Sequence, residues 1–286
     1  MNPPFSVLLP VYHADVPEHL RRSFASVATA QTLPPAEIVV VQDGPVGPEL
    51  AATLVELRST SAVPVQVVEL PENVGLARAL SAGLDRCTHE VVARQDADDV
   101  SRPDRFATQV SLVVGAGGRP GLDIVGSAIE EFELDQQIES ALAGANVGMV
   151  RVPPLSAAEI GRAARFRSPF NHPSVVYRKS AVAAAGGYED LPLMEDYWLF
   201  VRMLAGGARA LNVREPLVLY RVGAGAYARR GGFRLLRSEL ALQRRFHAVG
   251  FTTTPQMLRN VVLRGGYRLV PEPLRRAAYR ADALRR

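Results

Sequence analysis

Val91-Val92-Ala93-Arg94-Gln95-Asp96-Ala97-Asp98-Asp99 passes without a break from an apolar triplet into a charged cluster. An apolar run that stops abruptly at polar residues is the pattern of a buried strand whose carboxyl end reaches a surface. If the chain stays extended to its end, alternate side chains share a face, and Arg94, Asp96 and Asp98 project together. Neighbouring carboxylates repel. An arginine or a hard divalent cation offsets that repulsion, and Mg²⁺ typically takes one or two carboxylates together with phosphates. An Asp-x-Asp at a strand end therefore suits a metal-bound nucleoside diphosphate. The same residues also suit a polar turn, in which three aspartates and Ser101 close a strand and cap a helix with Pro103 in its first turn. Spacing alone leaves both readings open.

Upstream, Phe5 to Val11 is a continuous apolar run ending at Tyr12-His13, as a buried parallel strand would. Leu20, Phe24, Val27 and Ala28 recur at helical spacing from about Pro17, and Gln31 to Pro35 breaks the stripe. Ile38 to Val41 is a second buried strand, ending at Gln42-Asp43-Gly44-Pro45. A helix near Pro48 to Ser59, a third strand at Val63 to Leu70 and a helix opened by Asn73-Val74-Gly75-Leu76-Ala77-Arg78 lead back to Val91. This alternation predicts a doubly wound α/β sheet, in which ligands bind beyond the carboxyl ends of the strands. Tyr12, Asp43 and Asp96 to Asp98 all lie at such ends, which predicts that they converge on one crevice. Singly, Tyr12 also reads as an aromatic plug and Asp43 as a turn former before glycine. Arg78 reads as a phosphate ligand near a helix start or as an exposed helical arginine.

Downstream, Gly115 to Gly121 follows a helix and has neither a GxGxxG nor a Walker lysine, so phosphates must be held by metal and arginines. Leu122 to Val125 resumes the sheet, and Ala128 to Phe132 with Val147 to Val152 predicts an antiparallel pair. Phe170 to Val176 reads as a strand entering the site, with His172 either a contact to phosphate or metal or, the favoured reading, packed and hydrogen-bonded by its neighbours. Glu195-Asp196 begin a helix whose apolar face is Tyr197, Trp198, Val201 and Leu204. Helix dipoles favour acids in the first turn and would keep a carboxylate ionised at neutral pH, as a general base requires. Tyr220-Arg221-Val222 closes the last strand. The glycine-rich 223–232 carries Arg229 and Arg230, either a lid over a diphosphate or a solvated linker. Helices then run from Phe233 to Val249 and from Gln256 to the end, mixing leucine and valine with arginine; they suit an anionic membrane surface or ordinary packing.

The 286 residues suffice for one main α/β domain, taken as 1–222, with a tail at 223–286. With 48% hydrophobic and 22% charged residues the chain reads as globular rather than disordered or fibrous. A single cysteine, Cys87, excludes an internal disulfide framework and a Cys-rich zinc site. No apolar run reaches the ~18 residues needed to span a bilayer, and Met1-Asn2-Pro3-Pro4 lacks a charged leader, so a cytoplasmic protein is expected. The net charge of +4 hides an asymmetry, because from Arg221 onward fifteen arginines face only Glu239, Glu272 and Asp282. Such a tail favours an anionic partner. Lys179 is the sole lysine, so the preference for arginine also fits a bias of composition. Nucleic acid is not the expected partner, since aromatic interleaving and a recognisable module are missing.

With these residues in place the chain resembles the family 2 glycosyltransferases, and within them the bacterial exopolysaccharide and O-antigen enzymes of the amylovoran type. The likeness is carried by Leu9-Pro10-Val11-Tyr12, Val41-Gln42-Asp43-Gly44-Pro45, Asn73-x-Gly75-Leu76, Ala93-Arg94-x-Asp96-Ala97-Asp98-Asp99, Pro103-x-Arg105-Phe106, Asn171-His172, Glu195-Asp196-Tyr197 and Tyr227-x-Arg229-Arg230-Gly231-Gly232. It implies a GT-A fold, a nucleotide-binding α/β sheet with an acceptor-facing half. It also implies transfer from a nucleotide sugar, usually UDP-linked, with inversion at the anomeric carbon. On that resemblance Pro10, Val11, Tyr12 and Asp43 would hold the nucleoside. Asp96 would contact ribose or metal, and Asp98 would bind Mg²⁺ or Mn²⁺. Asp196 looks like the base, with Glu195 an acceptor contact or partner; Arg78, Arg94, Arg229 and Arg230 complete the candidate donor-binding set. The acceptor implied is an oligosaccharide on a polyprenyl diphosphate at the inner membrane face. Gln42 departs from the pattern, standing where many relatives carry a first aspartate. Two rivals remain. Nucleotidyl transfer would need a glycine-rich loop after the first strand, which Pro10-Val11-Tyr12-His13 does not offer, and a non-catalytic sugar-nucleotide-binding module would release no nucleotide.

Overall fold

Residues of β1 (Ser6–Tyr12) alternate between two apolar layers, as the two-residue period of a strand requires. Val7, Leu9 and Val11 pack with Leu20, Phe24 and Val27 of α1 (Pro17–Ala28) and with Leu50 and Leu54 of α2 (Pro48–Thr60). Leu8 points the other way, into a layer shared with Ala77, Leu80 and Leu84 of α3 (Leu76–Arg86). The structure, a computed structural model, describes residues 3–115, 120–222 and 233–269.

β1 pairs in parallel with β2 (Glu37–Asp43), from Ser6 opposite Glu37 to Tyr12 opposite Asp43, and on its other side with β4 (Val91–Arg94). β3 (Val65–Glu69) flanks β2 in parallel. The strand order β3-β2-β1-β4 reverses direction of growth at β1, so the crevice beyond β1 and β4 is a topological switch point.

Beyond β4 the sheet becomes mixed. It continues through β8 (Val176–Arg178), β6 (Ile124–Phe132), β9 (Ala210–Arg221) and the two-residue β5 (Val100–Ser101). β8 runs antiparallel to both its neighbours, whereas β6 and β9 run parallel with a register shift at Ser127 and Ala128. The antiparallel partner expected for 128–132 exists as β7 (Val150–Arg151), limited to two residue pairs, with α5 (Gln136–Leu142) in the intervening loop.

Two local expectations differ from the structure. The strand read at 170–176 holds a 3-10 turn, His172–Ser174, and enters the sheet at Val176. Pro173 has no N–H for a ladder, and side chains serve the neighbouring strand instead: Asn171 Nδ2 donates to Ser127 O at 2.9 Å, and Ser174 Oγ accepts from Ser127 N at 3.0 Å. The chain also does not stay extended from Arg94 to Asp98. It leaves the sheet at Arg94, because the buried Gln95 amide donates to the carbonyls of Asp96 (3.2 Å) and Asp99 (2.8 Å) and closes a turn.

The remaining helices follow. α4 (Arg105–Val114) backs the acidic turn, and α8 (Glu195–Ala205) lies beside β8 and α7 (Lys179–Ala184). α9 (Phe233–Ala248) packs Leu235, Leu242 and Phe246 onto Tyr197, Trp198 and Val201 of α8. α10 (Thr254–Asn260), a π-helical turn (Val261–Gly265) and α11 (Gly266–Leu269) are fastened to α9 by polar groups. Arg264 Nε and Arg268 Nη2 donate to the fully buried Glu239 at 2.6 and 3.1 Å. Among the described residues no helix is long and apolar enough to cross a membrane.

Candidate active site

The turn after β4 brings three carboxylates together. Oxygens of Asp96, Asp98 and Asp99 lie within 4.8 Å of one another, and no second such group of metal-ligating side chains occurs among the described residues. Asp96 and Asp98 are therefore neighbours as anticipated, by way of a turn rather than a straight strand. Asp99, whose role the sequence left undefined, is fully buried. Its Oδ1 accepts from the Arg221 N–H at 2.9 Å, and its Oδ2 has no protein partner.

The scaffold under this turn is a buried arginine. Arg105 Nη1 donates to Gln95 Oε1 (2.7 Å) and Ser101 Oγ (2.8 Å), and its Nη2 donates to the carbonyls of Arg94 (2.6 Å) and Pro173 (3.1 Å). Enclosure lowers its guanidinium to about 9, with Arg94 adding to the effect. Arg105 stands in a quoted motif, yet nothing in its spacing told a structural role from a binding one.

Arg94 is 2% exposed and contacts the Asp96 carboxylate, while its Nε and Nη1 have no hydrogen-bond partner. Even so, the acidic turn carries surplus negative charge. Burial and then Asp96 push Asp98 up to about 6, and burial with both neighbours pushes Asp99 well above the carboxylate range. Asp15 joins the group from just beyond β1: its Oδ2 accepts from the Tyr12 N–H at 2.8 Å, and burial with Asp98 and Asp96 carries it to about 7. No spacing in the sequence marked Asp15, because its place depends on the chain folding back onto the Tyr12 N–H.

An orphaned buried carboxylate oxygen and an all-oxygen donor set fit a hard divalent cation such as Mg²⁺ or Mn²⁺. Asp98 and Asp96, both half-buried, present the accessible carboxylates.

The nucleoside-side candidates behave unequally. Pro10 and Val11 are buried, and Tyr12, 41% exposed, is the member of that trio that faces solvent. Asp43 is buried with both oxygens committed, accepting from the N–H of Val74 (2.7 Å) and Gly75 (3.1 Å) at the entry to α3. Gly44 beside it has φ +83°, and a Cβ there would meet Asn73 N at 2.5 Å, so this turn needs glycine. Gln42 folds its amide onto Gly44 O at 3.1 Å. Arg78 is exposed and lies 3.8 Å from Asp190. Arg229 and Arg230 lie outside the described residues.

Opposite the acidic turn stands the start of α8. Leu193, just before it, adopts φ +65°, an uncommon backbone for leucine. Glu195 is 9% exposed and Asp196 half-buried. Here burial outweighs the helix start that was expected to keep both ionised: Glu195 rises to about 7, through desolvation and then Asp196, and desolvation raises Asp196 as well. Arg94 draws both down, so one guanidinium lies within electrostatic reach of the two acidic groups. His172 Nε2 sits 2.9 Å from Tyr188 Oη, packed and hydrogen-bonded as expected. Burial, then Arg94, holds its imidazole well below the usual range and neutral.

The family model described as Glycosyl transferase family 2 matches residues 6–117. The chain is 36% identical over 278 residues to the amylovoran biosynthesis glycosyltransferase AmsE of Erwinia amylovora, covering 97% of this chain and 98% of that one. It is 31% identical over 279 residues to the UDP-Gal:alpha-D-GlcNAc-diphosphoundecaprenol beta-1,3-galactosyltransferase of Escherichia coli, covering 98% and 96%. Among solved structures, the mannosyltransferase PcManGT of Pyrobaculum calidifontis, in complex with GDP-Man and Mn2+, superposes with a TM-score of 0.64 at 18% identity, covering 99% of this chain and 74% of that one.

Proposed function

The chain belongs to glycosyltransferase family 2 and has the GT-A fold, and from that premise we propose an inverting, metal-dependent transferase acting in bacterial cell-surface polysaccharide synthesis. Its donor on this reading is a UDP-sugar, and its acceptor is a hydroxyl of an oligosaccharide carried on a polyprenyl diphosphate. The E. coli relative, named for UDP-Gal and a diphosphoundecaprenol acceptor, supports both choices. The observation that carries the reading is the placement of two acidic groups about Arg94, one built to face a cation and one poised to exchange a proton.

Asp196 takes the proton of the acceptor hydroxyl as its oxygen bonds to the anomeric carbon. The bond from that carbon to the donor phosphate breaks on the opposite face, its electron pair leaves with the nucleoside diphosphate, and the configuration inverts. Glu195 shares the titration of Asp196 and contacts the acceptor. Asp98 and Asp96 would hold Mg²⁺ or Mn²⁺, which when bound neutralises charge on the leaving diphosphate. Tyr12 flanks the nucleoside, and Arg78 offers a further cation to the phosphates. The basic C-terminal helices face the anionic inner leaflet, where the acceptor resides.

The test is a screen of nucleotide sugars against a synthetic lipid diphosphate N-acetylhexosamine, with Mn²⁺ or with EDTA. The reading requires metal-dependent release of UDP and a product of inverted anomeric configuration by NMR. Release from no donor, or a retained configuration, refutes it.

A further inference from the structure

The helical stretch after α9 is amphipathic in the wrong sense for water. Its inner side is polar: Asn260 Nδ2 donates to Arg165 O (2.7 Å) and Gln243 Oε1 (2.9 Å), and Arg264 and Arg268 reach buried Glu239. Its outer side exposes Leu258 (56%), Val262 (69%) and Leu263 (55%), with the exposed Arg259 the charged residue among them. A helix bathed in water on its outer face carries the opposite arrangement. Nothing among the described residues covers these three side chains.

On α9 the face turned away from α8 carries Arg234, Arg237 and Arg244, all exposed and without an ion-pair partner among the described residues. The one acid of α9, Glu239, is buried on another side, so this face carries no acid, and Phe233 at the start of the helix is 76% exposed. Apolar side chains facing outward on this stretch, and uncompensated arginines on the helix it is fastened to, match the chemistry of an anionic bilayer surface, where aliphatic groups enter the acyl boundary and guanidinium groups meet phosphate.

We propose that Leu258, Val262 and Leu263, with Arg234, Arg237 and Arg244, form the surface on which this chain docks to an anionic lipid bilayer. The inference rests on the lipid-linked acceptor of the preceding reading, and it supplies the contact that brings such an acceptor to the site. Through Leu235, Leu242 and Phe246, α9 packs on α8, the helix that begins with Glu195 and Asp196. Docking would therefore set the acceptor side of the crevice against the membrane.

Flotation of the whole protein with vesicles, without any nucleotide sugar, tests this. The wild type is expected to bind equimolar phosphatidylcholine and phosphatidylglycerol, to bind phosphatidylcholine alone far less, and to be released by salt. The triple variant Arg234→Gln/Arg237→Gln/Arg244→Gln should weaken binding to the anionic vesicles by roughly fivefold per arginine. Leu258→Ser/Val262→Ser/Leu263→Ser should weaken it by about tenfold or more. Both variants should keep the thermal midpoint of the wild type and its transfer to a water-soluble acceptor. Unchanged vesicle binding in the leucine and valine variant overturns the proposal. So does loss of a dimer in that variant without loss of vesicle binding, which would assign the strip to a second copy of the chain. A wild type that transfers sugar but ignores anionic vesicles overturns the docking alone. One that binds vesicles but transfers no sugar leaves the docking standing and removes the catalytic reading.

Discussion

Asp96, Asp98 and Asp99 on one side of the crevice and Glu195 and Asp196 on the other are both acidic clusters, yet the protein supports them by different means. The first is wired: Arg94 contacts Asp96, the Arg221 N–H binds Asp99, and Arg105 grips the turn through Gln95 and Ser101. The second has no ion-pair partner among the described residues and stands on apolar packing, with Tyr197, Trp198 and Val201 of its helix buried against α9. Rigid polar support suits carboxylates that must stay placed for a cation. A buried Glu195 beside a half-buried Asp196, on an apolar base, suits groups that gain and lose a proton near neutrality.

Four experiments break or sharpen that contrast. Asp196→Asn should lower the rate of transfer by about 10²–10⁴-fold while calorimetric donor binding is unchanged; undiminished transfer would put the base elsewhere and end the distinction. Arg105→Leu strips the wired side of its anchor, and chemical denaturation should record a loss of about 3–5 kcal/mol. A loss too small to measure would mean the turn holds itself. Asp98→Asn should reduce kcat by roughly 10²–10³-fold and abolish Mn²⁺ binding, with the circular dichroism spectrum intact. The mildest change is Glu195→Gln. In the wild type Glu195 sheds its proton at about 7 beside the base, and the charge it gains there should change kcat as pH climbs through that value. The substitution removes the group that titrates at about 7, so the step in kcat there should vanish and leave the single limb of Asp196. Stability carries the same signature. A carboxylate whose folded pKa is raised to about 7 contributes stability that is full below its unfolded value and lost as pH rises through about 7. A thermal midpoint equally insensitive to that rise in wild type and variant would contradict the assignment.

The parallel half of the sheet was legible because β1, β2 and β4 are unbroken apolar runs, each stopped by a polar residue at the carboxyl end. The other half was not. β6 and β9 pair along nine residues from Ile124 opposite Ala210, a union across more than eighty positions of chain that no local pattern announces. At 170–176, apolar composition suggested a strand, while Pro173 and the side chains of Asn171 and Ser174 built a turn. Within the site, Asp96 and Asp98 could be paired from spacing, and Glu195-Asp196 from their place ahead of an aromatic helix. Asp15 and Asp99 could not, since their membership depends on how a turn folds back. The titration of Glu195 escaped for a related reason: sequence shows the helix start that favours charge, whereas the desolvation that opposes it comes from the assembled crevice.

The seam between α8 and α9 also limits how this protein can be remodelled. A chimera that exchanges the C-terminal helices for those of a relative would swap the floor beneath Tyr197 and Trp198 together with the new surface. Grafts meant to redirect the acceptor should therefore carry α8 together with α9 and the helices fastened to it, even though the family match itself stops at 117.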